Sequence, residues 1–186
     1  MTNQVSIKDA SFLKSKSVQE LLALLNAYGE EARVAGGAVR NVLLGQPVKD
    51  VDIATTALPS EVIRRSEDAG YRTVPTGIDH GTVTVIIGGE PFEVTTLRAD
   101  SDHDGRRANV DFGRDWKVDA KRRDFTINGL YADADGTIVD LVGGLNDIES
   151  RTVRFIGDAE ARIREDNLRI LRFFRFFAWY GHGRPD

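Results

Sequence analysis

Cysteine is absent from the 186-residue chain, which removes disulfides, thiolate zinc sites and cysteine nucleophiles at a stroke. Histidine is scarce: His80, His103 and His182 share no metal-binding spacing, so imidazole chemistry is not expected and any metal work falls to carboxylates. No apolar run is long enough to span a bilayer, and the opening MTNQVSIKDA lacks the apolar core of a signal peptide, so the expectation is a cytoplasmic protein with no membrane partner. A uniformly basic coat is also missing, since 25 Lys and Arg face 29 Asp and Glu for a net charge of −4. The positive residues are mostly arginine and crowd the second half, so any polyanion site is expected to be local. The length suits one complete domain and the start of another.

What is present is concentrated between Gly36 and Thr55, GGAVRNVLLGQPVKDVDIAT. Ala32 to Ala35 is a short apolar run, Gly36-Gly37 follow, and Val39, Val42 and Leu43 continue at helical spacing until Gly45, which reads as strand, glycine turn, helix. A glycine turn entering a helix can present N–H groups to a phosphate, with Arg40 in the first helical turn acting beside it. Taken alone, the turn is better read as a plain helix start with a solvated arginine, because the stretch lacks both the P-loop signature and the third glycine of a dinucleotide fingerprint. Lys49 to Thr55 reads as a strand that puts Asp50 and Asp52 on one face. Two carboxylates at one spot repel unless a divalent cation joins them, which suggests metal-dependent phosphoryl or nucleotidyl transfer. An exposed turn that binds nothing is the competing reading.

Around this unit, Val18, Leu21, Leu22 and Leu25 predict an amphipathic helix ending near Gly29, and Pro59 and Gly70 bracket another over Ser60 to Ala69, before a short strand around Tyr71 to Val74. TVTVII and PFEVTTL flank Gly88-Gly89 as a β-hairpin, with Glu93 either a third acid or a solvent-facing side chain. From Arg98 to Trp116 the chain is polar and aperiodic, a long loop of the kind that tends to be functional. Lys121, Arg122 and Arg123, before Asp124 and FTINGLYAD, read as a solvated basic cluster, with an anion-facing edge as the alternative; a turn of helix and a strand follow. Residues 137–164 read as a strand, a glycine turn at Gly143-Gly144, a short strand near Thr152 to Phe155 and the approach to a helix.

The last helix is expected over Glu165 to Tyr180, EDNLRILRFFRFFAWY, with Asp166, Arg169, Arg172 and Arg175 at every third position and apolar or aromatic residues between them. A helix apolar over most of its surface is expected to be buried, and charges beside it then need partners. An Asp166–Arg169 ion pair with two snorkelling arginines is the plain reading, weakened by three arginines in register with five Phe or Trp residues.

GGAVRNVLLGQPVKDVDIAT, FEVTTLR, DGRRANVDF, KRRDFTINGLYAD and REDNLRILRFFRF, in this order, resemble the class II tRNA nucleotidyltransferase and poly(A) polymerase family, most closely its CCA-adding members, from about Ala32 onward. The resemblance implies an α+β fold: a nucleotidyltransferase head with a small mixed sheet flanked by helices, followed by the first helices of an α-helical neck. Residues 1–30 would be an N-terminal helical segment, 31–150 the catalytic head and 151–186 the start of the neck. It further implies that Asp50 and Asp52 bind two Mg²⁺ ions, with Glu93 close by as ligand or base. Gly36, Gly37, Arg40, Arg123, Asn128, Arg172 and Arg175 would form the nucleotide site, and Asp166 and Arg169 would select the base. The implied reaction adds CMP and AMP from CTP and ATP to a tRNA 3′ end, and the loop at 98–116 resembles one implicated in switching from CTP to ATP. A poly(A) polymerase, an enzyme adding part of CCA, and an inactive nucleotide- or RNA-binding relic are the alternatives. Asn41 and Gly129 depart from the family pattern, which has Asp at the first and a small alanine or serine at the second. Ending inside the neck, the chain is expected to self-associate through its uncovered last helix or to bind tRNA poorly.

Overall fold

The computed structural model describes residues 4–100 and 110–183. The apolar spacing read above forms α1 (Lys16–Leu25), which buries Val18, Leu21, Leu22 and Leu25. Strand β1 (Ala32–Ala35) runs into α2 (Gly37–Leu43), and β2 (Asp52–Thr55) leads to α3 (Pro59–Asp68), with Pro at its first position. Strands β3 (Arg72–Gly77), β4 (Thr82–Ile87) and β5 (Glu90–Thr96) form a meander, the tight turn at Gly88-Gly89 carried by positive φ at both residues. Next come β6 (Arg98–Asp100), β7 (Val110–Phe112), α4 (Trp116–Arg122), β8 (Leu130–Ala132), β9 (Ile138–Asp140), α5 (Gly144–Glu149), α6 (Ala159–Glu165) and α7 (Leu168–Tyr180).

Among the described residues, seven strands join in one mixed sheet of order β3-β4-β5-β2-β1-β8-β9, in which only β2 and β5 run parallel. Alternation along the strands sorts the two faces. Val34, Ile53, Val83, Val85, Phe92 and Val94 point into the main core with α1 and with Phe173 and Phe176 of α7. Ala35, Ala54 and Tyr131 point the other way, under Trp116 and Ala120 of α4. No helix of the described residues is long and apolar enough to cross a membrane.

Several expectations are corrected. The stretch from Arg98 to Trp116 is not all loop: β6 pairs antiparallel with β7 as a separate two-stranded ribbon, and Trp116 opens α4, whose N-terminus Asp115 caps by accepting from Lys117 and Val118 N–H. Residues 101–109, the middle of that stretch, lie outside the described residues. Near Thr152 to Phe155 there is a single bridge, Phe155 to Phe125, in place of a strand. The last helix is broken: α6 ends at Glu165, Asp166 is extended (φ −149°, ψ 105°), and α7 starts at Leu168. The Asp166 carboxylate accepts from Leu168 N–H at 2.9 Å, so an aspartate expected inside the helix instead helps start a new one. Nor is α7 mostly buried: Phe173 and Phe176 are, while Leu168, Leu171, Phe174 and Trp179 are each more than half exposed.

Candidate active site

The carboxylates sit where the sheet ends. Asp52 is the first residue of β2 and pairs with Ala35, the last of β1, after which the chain turns away at Gly36. Asp50 therefore has no strand partner and lies in the preceding loop, so the strand expected from Lys49 begins only at Asp52. On the other side of β2, Ile53 is in register with Val94, which sets Asp52 abreast of Glu93. Burial and then the negative charges of Glu93 and Asp50 raise the Asp52 pKa above the ordinary carboxylate value, with Arg123 opposing them. Its side chain nonetheless reaches solvent at the mouth of the site. Among the described residues no three His, Asp or Glu side chains form a ready cage for a metal. Magnesium commonly takes one or two carboxylates and completes its shell with substrate phosphates and water, a mode that a repelling carboxylate pair at a cavity mouth suits.

A cavity of about 460 Å³ opens from Asp52. One wall is the Gly36-Gly37 turn, a second is Arg122 to Asp124 with Asn128, and the third is Asp166, Arg169 and Arg172. Gly36 is required twice over, because its φ is +61° and a Cβ there would stand 3.2 Å from Arg123 Nη1. Arg123 is held from below by Asp119 of α4, whose Oδ2 accepts from its Nη2 at 3.2 Å and from Tyr131 OH at 2.7 Å. The other oxygen of Asp119 accepts from Arg122 Nε at 2.8 Å. Burial alone would raise the Asp119 pKa, but Arg123, Arg122 and the Tyr131 hydroxyl outweigh it and hold the carboxyl below its usual range. The basic cluster is thus not solvated in the way its composition suggests: Arg122 and Arg123 are half-buried, anchored and aimed into the cavity.

Asp124 ties the cavity wall to α7, accepting from Asn128 Nδ2 at 2.8 Å and from Arg172 Nε at 3.0 Å. Asp166 and Arg169 both line the cavity but do not pair with each other; Arg169 Nη1 donates to Glu165 at 2.6 Å and to the Arg162 carbonyl at 2.7 Å. The ion pair contemplated from their spacing is replaced by one with Glu165.

Four expected site residues, Arg40, Asp50, Glu93 and Arg175, do not line this cavity. Arg40 is buried, with its guanidinium donating to Asn128 Oδ1, to Asn41 Oδ1 at 2.8 Å and to Tyr180 OH at 3.1 Å, so it braces α2 against α7 and does not line the cavity. Arg175 is exposed and lies over the rings of Phe176 and Trp179. Asp50 lines an adjoining cavity that shares Asp52. Asp119, Asp124 and Tyr180, which hold Arg122, Arg123, Arg172 and Arg40 by hydrogen bonds, were passed over by sequence reasoning. The signal for Asp119 was present: Trp116, Asp119, Ala120 and Arg123 fall at i, i+3, i+4 and i+7, a helix face overlooked because Trp116 was assigned to the loop.

Comparison with known proteins shows the family and the fold. The family model described as the poly A polymerase head domain matches residues 32–154. A mitochondrial CCA tRNA nucleotidyltransferase 1 of Danio rerio is 46% identical over 95% of this chain and 41% of its own length. A CCA-adding enzyme of Geobacillus thermodenitrificans is 47% identical over 87% of this chain and 39% of its own. The crystal structure of the Bacillus stearothermophilus CCA-adding enzyme in complex with CTP superposes with a TM-score of 0.76 at 43% identity, covering 86% of this chain and 38% of that one. A tRNA nucleotidyltransferase complexed with a primer tRNA and an incoming ATP analog gives a TM-score of 0.69 at 29% identity, over 88% of this chain and 46% of that one. The chain spans about two fifths of the length of the curated relatives it matches.

Proposed function

The chain belongs to the poly A polymerase head domain family, and from that premise we propose that it carries the catalytic centre of a tRNA nucleotidyltransferase adding CMP and AMP, from CTP and ATP, to the tRNA 3′ end. The observation that carries this reading is the placing of Asp166 and Arg169 on one wall of the cavity that opens from Asp52. A base-reading pair and a phosphate-transferring carboxylate then address one nucleotide. Asp166 Oδ1 accepts from Leu168 N–H and Arg169 Nη1 donates to Glu165 and to the Arg162 carbonyl, and both residues line the cavity. Cytosine and adenine both offer an exocyclic amine beside an unprotonated ring nitrogen, so a carboxylate acceptor next to a guanidinium donor suits either. Uracil and guanine present a carbonyl and a ring N–H there and mispair with both groups, a mismatch that sites built to hydrogen-bond penalise heavily.

Arg122 and Arg123, fixed by Asp119, face the phosphates, and Arg172, fixed by Asp124, closes the cavity over the ribose or phosphate side. Asp50 and Asp52 would hold the two Mg²⁺ ions, which lower the pKa of the attacking hydroxyl and neutralise the leaving phosphates when bound. In the transfer, the RNA 3′ oxygen forms a bond to the α-phosphorus, the bond from that phosphorus to the bridging oxygen breaks, pyrophosphate leaves with the electron pair, and the hydroxyl proton passes to solvent or to a nearby carboxylate such as Glu93.

Incubation of the chain with tRNA lacking its CCA end, Mg²⁺ and each labelled nucleoside triphosphate, singly and mixed, tests the reading. Ordered addition of C and then A is expected. Long runs of A would assign a poly(A) polymerase instead, and binding without incorporation a nucleotide-binding relic. Asp52→Asn should abolish transfer while leaving thermal stability equal or higher, since it removes one of three mutually repelling acids; retained transfer would overturn the carboxylate assignment.

A further inference from the structure

Sequence reasoning finds no site residue between 137 and 164, yet Arg162 of α6 is only 11% exposed although charged, so its contacts must replace the water it has lost. Its Nη2 donates to two backbone carbonyls at the end of α4, that of Arg122 and, at 3.0 Å, that of Arg123. A helix leaves its last carbonyls without intrahelical donors, and a cation is favoured there. Nη1 of Arg162 donates to Glu165 Oε2 at 2.6 Å. Arg162 itself does not line the cavity at Asp52.

Arg169 hangs on the same frame. Its Nη1 donates to that same Glu165 oxygen at 2.6 Å and to the main-chain carbonyl of Arg162 at 2.7 Å. The two groups that hold Arg169 are thus part of Arg162 or bonded to it. These bonds matter because the helix is broken between them: Asp166 is extended, so the backbone of α6 does not continue rigidly into α7. Side-chain bonds across the break set where Arg169 stands. The peptide that Arg162 grips at its other end carries Arg122 and Arg123, which line the same cavity as Arg169. One buried guanidinium therefore refers two walls of the cavity to each other.

Resting on the reading of base choice above, we propose that Arg162 is a positioning residue for that choice. It fixes Arg169 at a set distance from the phosphate-facing arginines, so a nucleotide seated by its phosphates presents its base edge to the guanidinium in one register. Cytosine and uracil are alike in size and both reach this wall. They differ in which atoms donate and which accept, so telling them apart requires Arg169 to be held in direction as well as in place. A loosened Arg169 turns to suit either base, and what is lost first is selectivity.

The test compares kcat/KM for CTP with kcat/KM for UTP in wild type, Arg162→Met and Arg162→Lys. Arg162→Met keeps the length and removes the donors, and should lower the CTP to UTP ratio about tenfold. Arg162→Lys keeps the charge and serves one carbonyl in place of the fork, and should lower it about threefold. Both nucleotides are measured on one preparation, so any loss of folded protein cancels in the ratio. A ratio unchanged in Arg162→Lys, or a KM raised equally for both nucleotides, overturns the proposal, and the lysine variant decides the matter where Arg162→Met does not fold. If wild type transfers nothing, the transfer reading fails separately, and dissociation constants for CTP and UTP carry the same comparison. Equal binding of the two by wild type, or a wild-type preference kept in both variants, then overturns the role of Arg162.

Discussion

Asp119 shows how one carboxylate can organise a binding wall without touching a ligand. It is 1% exposed and takes bonds from Arg122, Arg123 and Tyr131, so removing its charge leaves two cations half-buried without their partner. Asp119→Ala is expected to cost about 3–5 kcal/mol, because breaking a buried pair strands the remaining charge. Since the folded pKa lies below the unfolded one, this contribution is fully present above the unfolded value and disappears as pH falls through the folded one. The gap in denaturant unfolding between wild type and Asp119→Ala should thus be full from pH 7 down to about pH 4 and close progressively as the pH falls further. A gap that persists undiminished into acid would show that the loss is packing and not charge. Arg40 makes a related point, since burial lowers its pKa and its bonds to Asn41, Asn128 and Tyr180 make it a strut between elements. Asn41, the departure from the family's aspartate, keeps its acceptor on Arg40 and uses its amide to bond the Pro47 carbonyl at 2.8 Å, which pins the loop that leads to Asp50.

At the level of elements, the boundary between α6 and α7 and the connection into β8 decide the site. Asp166-Asn167 stands ahead of an apolar run as helix-starting residues do, and the extended Asp166 lines the cavity at the start of α7. Gly129 lies just before β8 with φ −90°, so its backbone does not require glycine. Its surroundings do: a Cβ there would stand 2.6 Å from Val142 Cγ2 and 3.3 Å from Ile156 Cδ1. Val142 fills the space that a side chain at Gly129 would need. Gly129→Ala is expected to destabilise by about 1–3 kcal/mol through overpacking, and adding Val142→Ala should recover most of it. Thermal or denaturant unfolding of both variants checks this, and a neutral single variant would show that Val142 has room to move.

At the scale of the molecule, a single core runs from α1 through the sheet to Phe173 and Phe176, while Leu168, Leu171 and Phe174 expose 64, 68 and 58% of their surface on the outer side of α7. An adjoining groove of about 400 Å³ is lined by Phe155, Ile163, Ile170, Phe173 and Phe174. An apolar stripe of this kind in water favours association, so sedimentation velocity is expected to show concentration-dependent self-association of this chain, weakened by Phe174→Glu. A monomer throughout the concentration range would exclude it.

Much of this was legible in the sequence because the signals are local. Apolar periodicity located α1 and α2, the bracketing Pro59 and Gly70 located α3, the paired glycines located the β4–β5 hairpin, and the ordered motifs from Gly36 to Arg175 identified the family. Residue chemistry likewise singled out Asp50 and Asp52, and the family resemblance added Arg123, Asp166 and Arg169, before any contact was known. Only the tertiary structure decided how these groups are used. Strand register brought Glu93 abreast of Asp52, the end of β1 left Asp50 in a loop, and burial made Arg40 a strut. The same packing set Asp119 beneath Arg123 and divided the space around Asp52 into two cavities. Those outcomes depend on partners distant in sequence, whose geometry and shared desolvation no local pattern encodes.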